Sequence, residues 1–172
     1  SEKNQDSDAV VIFWEACNFI DGLQYKIDLF SDKEFNGIVN KIKLEIDIVL
    51  SALKNTSIVI INKFSSLIFD QFSLSDNNLR RLIDILNKHL KDSVRVNTRL
   101  VDVDGIISRL SIKSATDLRY YHSSKTLYSV EFYKEYFENI KYFFFAANGK
   151  TKKALIFDCD NTLWKGILAE DG

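Results

Sequence analysis

Residues 57–61 read Ser57-Ile58-Val59-Ile60-Ile61, an apolar, β-branched run without polar alternation. Runs of this length and composition are typical of strands that are buried on both faces, as in parallel sheets. A similar run occupies residues 10–14, and residues 94–103 are also strand-like. These three segments predict a mostly parallel β-sheet.

Helical patterns separate the three strand-like segments. Ser31-Asp32-Lys33-Glu34 forms a capping-box pattern, and the apolar spacing after it predicts a helix over residues 32–54. Ser75 is predicted to cap a second helix, on which His89 is expected to be solvated. The apolar face of that helix comprises Leu79, Leu82, Ile83, Leu86 and Leu90. Alternating strands and helices predict right-handed crossovers and an α/β fold of three layers, α/β/α.

The last third of the chain has three different patterns. Residues 111–129 are mixed and polar, with no clear period. Residues 130–147 predict an aromatic helix whose Phe and Tyr spacing indicates core packing, ended by Asn148-Gly149. Residues 152–158 predict a further strand.

The composition excludes several functional classes. The chain is 46% hydrophobic with a net charge of −1, so it can form a core and has no global field for nucleic acid or anionic membranes. Its apolar runs are shorter than the ~20 residues that span a bilayer. Cys17 and Cys159 lie far apart, with neither metal-site nor disulfide spacing. We expect a cytoplasmic protein, and the sequence does not indicate its oligomeric state.

The richest chemistry follows the last predicted strand, where residues 155–164 read LIFDCDNTLW. Asp158 and Asp160 are two residues apart and can both extend beyond the carboxyl edge of a parallel sheet. The first could attack a phosphoryl or acyl-phosphate group, and the second could protonate the leaving group. Mg²⁺ would offset the crowded negative charge. The alternative is a loop that only turns the chain and caps a helix.

Residues 149–172, GKTKKALIFDCDNTLWKGILAEDG, closely resemble the opening of the phosphatase-like domain of FkbH-like proteins. These proteins belong to the haloacid dehalogenase (HAD) superfamily, in its HAD-IIIC type. The resemblance implies that Asp158 is the nucleophile and a Mg²⁺ ligand. It implies that Asp160 is the acid/base residue and a metal ligand through its backbone carbonyl. Asn161 and Thr162 are implied to support the loop.

Cys159 departs from the leucine that many relatives carry between the two aspartates. FkbH-like members with cysteine here look like glyceryl transferases, which take a glyceryl group from 1,3-bisphosphoglycerate as a thioester and pass it to an acyl carrier protein. A thiolate is a competent nucleophile for that step. The alternative is a HAD phosphomonoester phosphatase that acts on a phosphorylated small molecule, with Cys159 as a small buried side chain.

The same resemblance implies HAD residues that do not occur up to Gly172. HAD enzymes use a downstream Ser/Thr, a Lys and further acidic metal ligands, and their sheet has several more strands. We therefore expect residues 149–172 to be a linker plus the first strand and loop of a truncated Rossmann-like HAD domain. By this expectation the chain is a catalytically incomplete fragment.

Residues 1–148 resemble, more weakly, the SGNH-hydrolase-like (flavodoxin-like) domain that precedes the HAD domain in FkbH-like proteins. Residues 10–19, VVIFWEACNF, place Asn18 at the position of an oxyanion donor. Residues 117–140, DLRYYHSSKTLYSVEFYKEYFENI, offer Asp117 and His122 as the base pair. Four residues separate this pair instead of two, and nothing in the chain matches the Gly-Asp-Ser nucleophile block of the first strand. Either that strand precedes Ser1 or the domain has lost hydrolysis.

Non-catalytic roles are the alternative for this domain. Arg119, Tyr121, Lys125 and Tyr128 resemble a patch that precedes the final helix in FkbH-like relatives and could bind the phosphate or pantetheine arm of a partner. The simpler interpretation of the charged residues is that they form salt bridges within the loop. The simpler interpretation of Asn18 is that it is an ordinary turn residue at the end of a strand. The domain could therefore be a docking module that recruits a carrier protein or fixes the oligomeric state.

Overall fold

A computed structural model describes residues 9–70, 77–124 and 126–147 of the chain. The chain divides into two compact units between Val103 and Asp104, and each unit is described by itself. The strand predicted at 152–158 lies outside the described residues. The boundary predicted at residue 148 stays a prediction for the same reason.

The first unit is built on a parallel sheet with helices in the connections between strands. Its elements, in chain order, are β1 (Ala9–Ile12), a 3₁₀ turn (Ala16–Asn18), α1 (Leu23–Lys26), a 3₁₀ turn (Ile27–Leu29), α2 (Asp32–Ala52), β2 (Ile58–Asn62), α3 (Leu67–Asp70), α4 (Asn78–Ser93) and β3 (Thr98–Val101).

The sheet has the order β1-β2-β3, and both pairings are parallel. The register places Val10 beside Val59 and Ile61 beside Leu100. All five residues of β2 are buried, as expected for a central strand with both faces covered. The predicted α/β class with a parallel sheet is confirmed, and the arrangement is consistent with a three-layer α/β/α fold.

Helix α2 begins at the predicted capping box. The Ser31 hydroxyl accepts a hydrogen bond from the Glu34 amide, and the Glu34 carboxylate accepts one from the Ser31 amide at 2.8 Å. The buried face of α2 comprises Phe35, Val39, Ile42, Ile46 and Leu50. Helices α2 and α4 pack against each other, as expected if both connections in the parallel order β1-β2-β3 are right-handed and so lie on one face of the sheet.

Two boundaries differ from the sequence prediction. Asn77, not Ser75, caps α4, because the Asn77 side chain accepts the Arg80 amide hydrogen bond at 2.6 Å. The predicted strand over residues 94–103 is only Thr98–Val101. Its start is later because the Val94 amide still bonds to the Leu90 carbonyl as the end of α4.

The second unit is helical within its described residues. It contains α5 (Val103–Leu110, which starts at the boundary), α6 (Ile112–Ala115), α7 (Leu118–Ser124) and α8 (Val130–Ala147). The polar stretch 111–129, which has no clear period, thus contains two short helices. Ser111, between α5 and α6, has a φ of 72°, the one positive value for a non-glycine residue among the described residues.

Helix α8 matches the prediction for residues 130–147. Phe132, Tyr136 and Ile140 are buried, which confirms the core assignment for this side of the helix. Tyr142 and Phe145, near its carboxyl end, remain exposed. None of the described helices is long and apolar enough to cross a membrane.

Candidate functional site

The predicted site residues fall into three groups. Asn18 belongs to the first unit, whereas Asp117, Arg119 and His122 belong to the second. The HAD group, residues 158–162, lies outside the described residues, as does Lys125. The roles of Asp158, Cys159, Asp160, Asn161, Thr162 and Lys125 therefore stay predictions from sequence.

Asn18 lies on the segment that leaves β1 at the carboxyl edge of the sheet. It ends the 3₁₀ turn Ala16–Asn18, and its amide donates to the Glu15 carbonyl at 3.0 Å. Asn18 itself is exposed. An exposed amide at the carboxyl end of a parallel strand has the right location for binding a ligand. Its role as an oxyanion donor stays a prediction.

Asn62 organises the same edge and was not identified from the sequence. It is buried at the end of β2, and its side-chain oxygen accepts the Trp14 amide at 2.6 Å. Its side-chain nitrogen donates to the carbonyls of Trp14 at 2.7 Å and Lys63 at 3.1 Å. Asn62 thus fixes the start of the segment that carries Asn18. The sequence feature that could have identified Asn62 is its position as the single polar residue that ends the apolar run of β2.

The carboxyl edge of the sheet is otherwise packed with aromatic rings. Phe19 meets Trp14 and Phe64 edge-on, with ring centroids 5.9 and 6.0 Å apart. Asn87 on α4 fixes the Phe64 backbone, since its side chain bonds to the Phe64 amide and carbonyl at 2.9 Å each. Asn18 is therefore an exposed polar residue that directly precedes Phe19 of this aromatic cluster in the sequence.

Two further observations limit what this edge can do. The strand order does not reverse among the three described strands, so the crevice that doubly wound sheets use for ligands does not lie between them. Within the described ranges, no cluster of three or more His, Cys, Asp or Glu residues could hold a metal ion. The predicted Mg²⁺ ligands, Asp158 and Asp160, lie outside those ranges.

Cys17 is next to Asn18 but is chemically passive. Burial raises the pKa of the Cys17 thiol far above its usual value, and the negative charge of Glu15 raises it further. Only the thiolate is a strong nucleophile, so this cysteine has almost none of its reactive form near neutral pH. Cys17 is a packing residue.

In the second unit, the segment from Asp117 to Leu127 is an excursion whose two ends are paired with each other. Thr116 and Tyr128 form an antiparallel bridge. On one side of it the Asp117 amide donates to the Leu127 carbonyl at 3.2 Å, and on the other the Ser129 amide donates to the Ala115 carbonyl at 2.9 Å. This excursion, which we call the α7 turn, contains Asp117, Arg119 and His122.

Asp117 has a specific partner within the α7 turn, namely Arg119. Asp117 Oδ1 accepts hydrogen bonds from the Arg119 amide and Nε, both at 3.0 Å, and Oδ2 accepts one from the guanidinium at 2.7 Å. These hydrogen bonds and the positive charge of Arg119 hold the pKa of Asp117 below its usual value. The same hydrogen bonds and the negative charge of Asp117 raise the pKa of Arg119. The salt bridge predicted as the simpler interpretation is therefore present.

The remaining residues of the predicted patch divide into buried and exposed ones. Tyr121 and Tyr128 are buried, and Tyr128 stacks on Phe132 with ring centroids 4.0 Å apart. These two tyrosines are therefore core residues. Arg119 is exposed. His122 lies in α7, about one helical turn beyond Asp117, and the Asp117–His122 base pair stays a prediction.

His89 differs from its predicted solvated state. Its Nε2 lies 2.8 Å from Asp47 Oδ1 on α2, and the Ser93 hydroxyl donates to the same oxygen at 3.4 Å. Only 22% of the His89 side chain is exposed. His89 Nε2 and the Ser93 hydroxyl, both on α4, contact the same Asp47 oxygen on α2. The cluster therefore joins two helices, and it lacks the relay geometry of a catalytic triad. Asp47 and His89 are 42 residues apart, so no local sequence pattern indicates that they are in contact.

The chain was also compared with known proteins. No family model, curated protein or solved structure matches it. A functional assignment therefore depends on the residues and motifs of the chain itself.

Proposed function

We propose that this chain is the N-terminal part of an FkbH-like HAD enzyme that transfers a glyceryl group from 1,3-bisphosphoglycerate to an acyl carrier protein. The proposed setting is the cytoplasm, and the proposed cofactor is Mg²⁺. The observation that carries the proposal is the motif Asp158-Cys159-Asp160-Asn161-Thr162, which directly follows an apolar run. Its two carboxylates and its thiol supply the three reactive groups that the transfer requires.

The transfer divides into balanced steps on these groups. The Cys159 thiolate attacks the acyl carbon, the bond from that carbon to the phosphate oxygen breaks, and inorganic phosphate leaves. The second phosphate is removed by attack of the Asp158 carboxylate on phosphorus, while Asp160 protonates the departing alkoxide. Water then attacks the aspartyl phosphate and gives a proton back to Asp160, so that inorganic phosphate leaves and the Asp158 carboxylate is restored. The carrier attacks the glyceryl thioester as a thiolate, the bond from the acyl carbon to the Cys159 sulfur breaks, and the Cys159 thiolate is regenerated.

The donor types of the motif are suited to the proposed metal ion. Mg²⁺ prefers oxygen ligands, and Asp158 and Asp160 offer carboxylate and backbone carbonyl oxygens. When bound, Mg²⁺ would neutralise negative charge where the phosphoryl group meets the two aspartates. The carboxylates of the chain perform the nucleophilic and proton-transfer steps themselves.

For the part before residue 148 we propose a docking role without hydrolysis. The Asp117 carboxylate accepts hydrogen bonds from Arg119, and the Cys17 thiol next to Asn18 is buried and passive. These observations favour the docking module over an esterase. Esterase activity that is lost with Asn18→Ala would contradict it.

The runner-up is a HAD phosphomonoester phosphatase with the same docking module. Asp158 and Asp160 are sufficient for phosphoryl transfer to water, and Cys159 would then only fill space. Both candidates need the same two aspartates, so they differ only in whether Cys159 forms a covalent bond.

The experiment for the shared chemistry is phosphate release by the protein expressed from its whole gene. With Mg²⁺ and 1,3-bisphosphoglycerate, we expect release of the phosphate that is esterified to the glyceryl hydroxyl, the step assigned to Asp158, and Asp158→Asn should reduce the rate of that release by about a thousandfold or more. The matched control is Asp92→Asn, which changes an exposed carboxylate on α4 and should leave the rate unchanged. Equal rates in the wild type and Asp158→Asn would overturn the HAD assignment.

A further inference from the structure

We infer that the exposed aromatic side of α8 packs against the chain that directly follows it, the predicted strand at residues 152–158. This aromatic side comprises Phe137, Tyr142 and Phe145, which are 40%, 64% and 65% exposed. The inference goes beyond the proposed function and does not depend on it, because the packing holds whether or not Asp158 is catalytic.

The two sides of α8 differ in what covers them. Phe132, Tyr136 and Ile140 are buried, and their spacing of four residues places them on one side of the helix. At about 100° per residue, the three exposed rings lie on the opposite side. The described residues of this unit therefore cover one side of α8 and leave the aromatic side open.

The carboxyl end of α8 is apolar on every side. Residues 142–147 read YFFFAA and carry no charge, and none of residues 141–145 is buried. Lys141, which directly precedes them, is paired with Glu138, and its ammonium group lies 5.3 Å from the centre of the Tyr142 ring. A helix that is hydrophobic all round is typical of a buried position. This end of α8 therefore requires a cover that the described residues do not supply.

The size of the aromatic side favours a tethered partner over a second copy of the chain. The three rings together expose roughly 300 Å². Two copies would bury about 600 Å² in total, whereas stable interfaces between separate proteins bury about 1,200 Å² or more. A segment that is joined to α8 by a short connection needs less contact area, because its effective concentration is high.

The connection after α8 brings the predicted strand within reach. Residues 148–151 join Ala147 to this strand, and four residues are a usual length for a helix-to-strand connection. A connection this short makes the strand run back along the helix. Residues 152–158 extend about 23 Å as a strand, and α8 rises about 15 Å from Phe137 to Ala147. The strand is therefore long enough to cover all three exposed rings.

The predicted strand also has the composition that the aromatic side requires. Residues 154–157 read Ala-Leu-Ile-Phe, so both faces of the strand are apolar and either face can contact the rings. Tyr142 and Phe145 already meet edge-on, with ring centroids 6.4 Å apart, and present one continuous apolar surface to this partner.

The packing gives α8 a positioning role for the motif that follows the strand. Asp158 is the last residue of the predicted strand, so contact between the strand and α8 fixes where its carboxylate lies within this unit. Phe137, Tyr142 and Phe145 are then positioning residues, which act on the motif through the strand.

The experiment measures thiol labelling of cysteine variants of the protein expressed from its whole gene, with Cys159→Ala as the background. Phe145→Cys places a thiol on the aromatic side, and Val130→Cys, the matched control, places one at the opposite end of the same helix. The two native side chains are 65% and 71% exposed. We expect Phe145→Cys to react at least about tenfold more slowly than Val130→Cys, because the strand covers it. Tyr142→Cys is a second reporter and should be protected in the same way.

Further substitutions identify the segment that covers the reporter. Leu155→Asp and Ile156→Asp lie on opposite faces of the predicted strand, and at least one of them should restore the labelling of Phe145→Cys to the rate of Val130→Cys. Thr151→Asp, in the connection, is the control and should leave the protection unchanged. The unfolding midpoint of each variant separates a released strand from an unfolded protein.

A second measurement needs no substitution. Nuclear Overhauser effects between the methyl groups of Leu155 or Ile156 and the rings of Tyr142 or Phe145 should be present in the native protein. Their absence would overturn the inference, as would equal labelling of Phe145→Cys and Val130→Cys or protection that persists in both aspartate variants. Protection that increases with protein concentration, together with a dimer in sedimentation, would assign the aromatic side to a second copy and also overturn it.

The inference and the proposed function can fail separately. A protected Phe145→Cys without Mg²⁺-dependent phosphate release would refute only the proposed chemistry. Phosphate release together with rapid labelling of Phe145→Cys would refute only the packing of α8 on the strand.

Discussion

The side chain of Asn62 pairs with the backbone of Trp14 as a neighbouring strand would. Its amide group accepts from the Trp14 amide at 2.6 Å and donates to the Trp14 carbonyl at 2.7 Å. The pair lies where β1 has ended, so Asn62 extends the ordered edge of the sheet by two residues beyond Ile12. This contact positions the segment that leads to Asn18.

Replacing Asn62 with Ala should therefore destabilise the first unit by about 2 kcal/mol, because two backbone groups of Trp14 lose their partner in a partly buried position. Urea unfolding followed by tryptophan fluorescence measures the effect. Asn55→Ala, at an exposed position, is the control and should change stability by less than about 0.5 kcal/mol. Equal stability of the Asn62 and Asn55 variants would show that the clamp has no energetic role.

The capping box of α2 predicts a pH-dependent contribution to stability. Hydrogen bonds from Ser31 hold the pKa of Glu34 below its usual value of 4.5. The folded state thus favours the carboxylate, so this contribution is present above about pH 4.5 and is lost as the pH falls through the lower folded pKa. Ser31→Ala should cost about 1 kcal/mol at pH 7, and its difference from the wild type should shrink below pH 4.5.

The control for that experiment is Ser51→Ala, near the end of the same helix at an exposed position. It removes a hydroxyl that does not cap the helix, and alanine has the higher helix propensity. We expect no loss of stability from this change. A Ser31→Ala penalty that stays constant from pH 7 to pH 3 would contradict the role of the Glu34 carboxylate.

Ser111 stores backbone strain that glycine would relieve. Its φ of 72° and ψ of 152° are costly for a residue with a Cβ, by about 1–3 kcal/mol. Replacement by glycine also removes the side-chain cap and increases the conformational entropy of the unfolded chain. Together these two effects offset about 1 kcal/mol of the relieved strain. Ser111→Gly should therefore stabilise the chain by about 0.5–1 kcal/mol in urea unfolding.

Ser111→Ala should change the stability in the opposite direction at the same position. Alanine keeps the strained Cβ but removes the hydroxyl that accepts from the Ser114 amide, so it should destabilise by about 1 kcal/mol. If both variants shifted the unfolding midpoint in the same direction, the strain at this residue would be disproved.

Cys17 should be unreactive in the folded chain. In a Cys159→Ala variant, Cys17 is the only thiol, and its burial and raised pKa should slow labelling by a thiol reagent at least about a hundredfold relative to the urea-unfolded chain. A colorimetric disulfide exchange assay follows the rate. Rapid labelling of folded Cys17 would show that the segment after β1 opens readily, and it would remove Cys17 as a passive reference for adduct mapping.

Elements with strong local patterns could be predicted from the sequence. The β-branched run of β2, the capping box and apolar spacing of α2, and the aromatic spacing of α8 each occur within one continuous segment. Hydrophobic periodicity and capping act over a few residues, so they are visible without knowledge of the partners. The parallel α/β class followed from the order of these elements.

The features that were missed depend on contacts between distant residues. Asn62 bonds to Trp14 across 48 positions, and His89 reaches Asp47 across 42. The short helix α6 has only four residues and is held in part by the Ser129 hydroxyl, so its own sequence has little periodicity to detect. Asp117 was assigned to His122 from a motif, whereas its observed hydrogen bonds go to Arg119, two residues away.

The most direct test of the proposed reaction is intact-mass analysis of the protein expressed from its whole gene, after incubation with Mg²⁺ and 1,3-bisphosphoglycerate. The wild type, Cys159→Ala and Cys17→Ala are compared, since the second cysteine controls for nonspecific acylation of thiols. We predict a glyceryl or phosphoglyceryl adduct on the wild type and on Cys17→Ala, and none on Cys159→Ala. Phosphate release at equal rates from all three proteins without any adduct would contradict the transferase and leave a phosphatase.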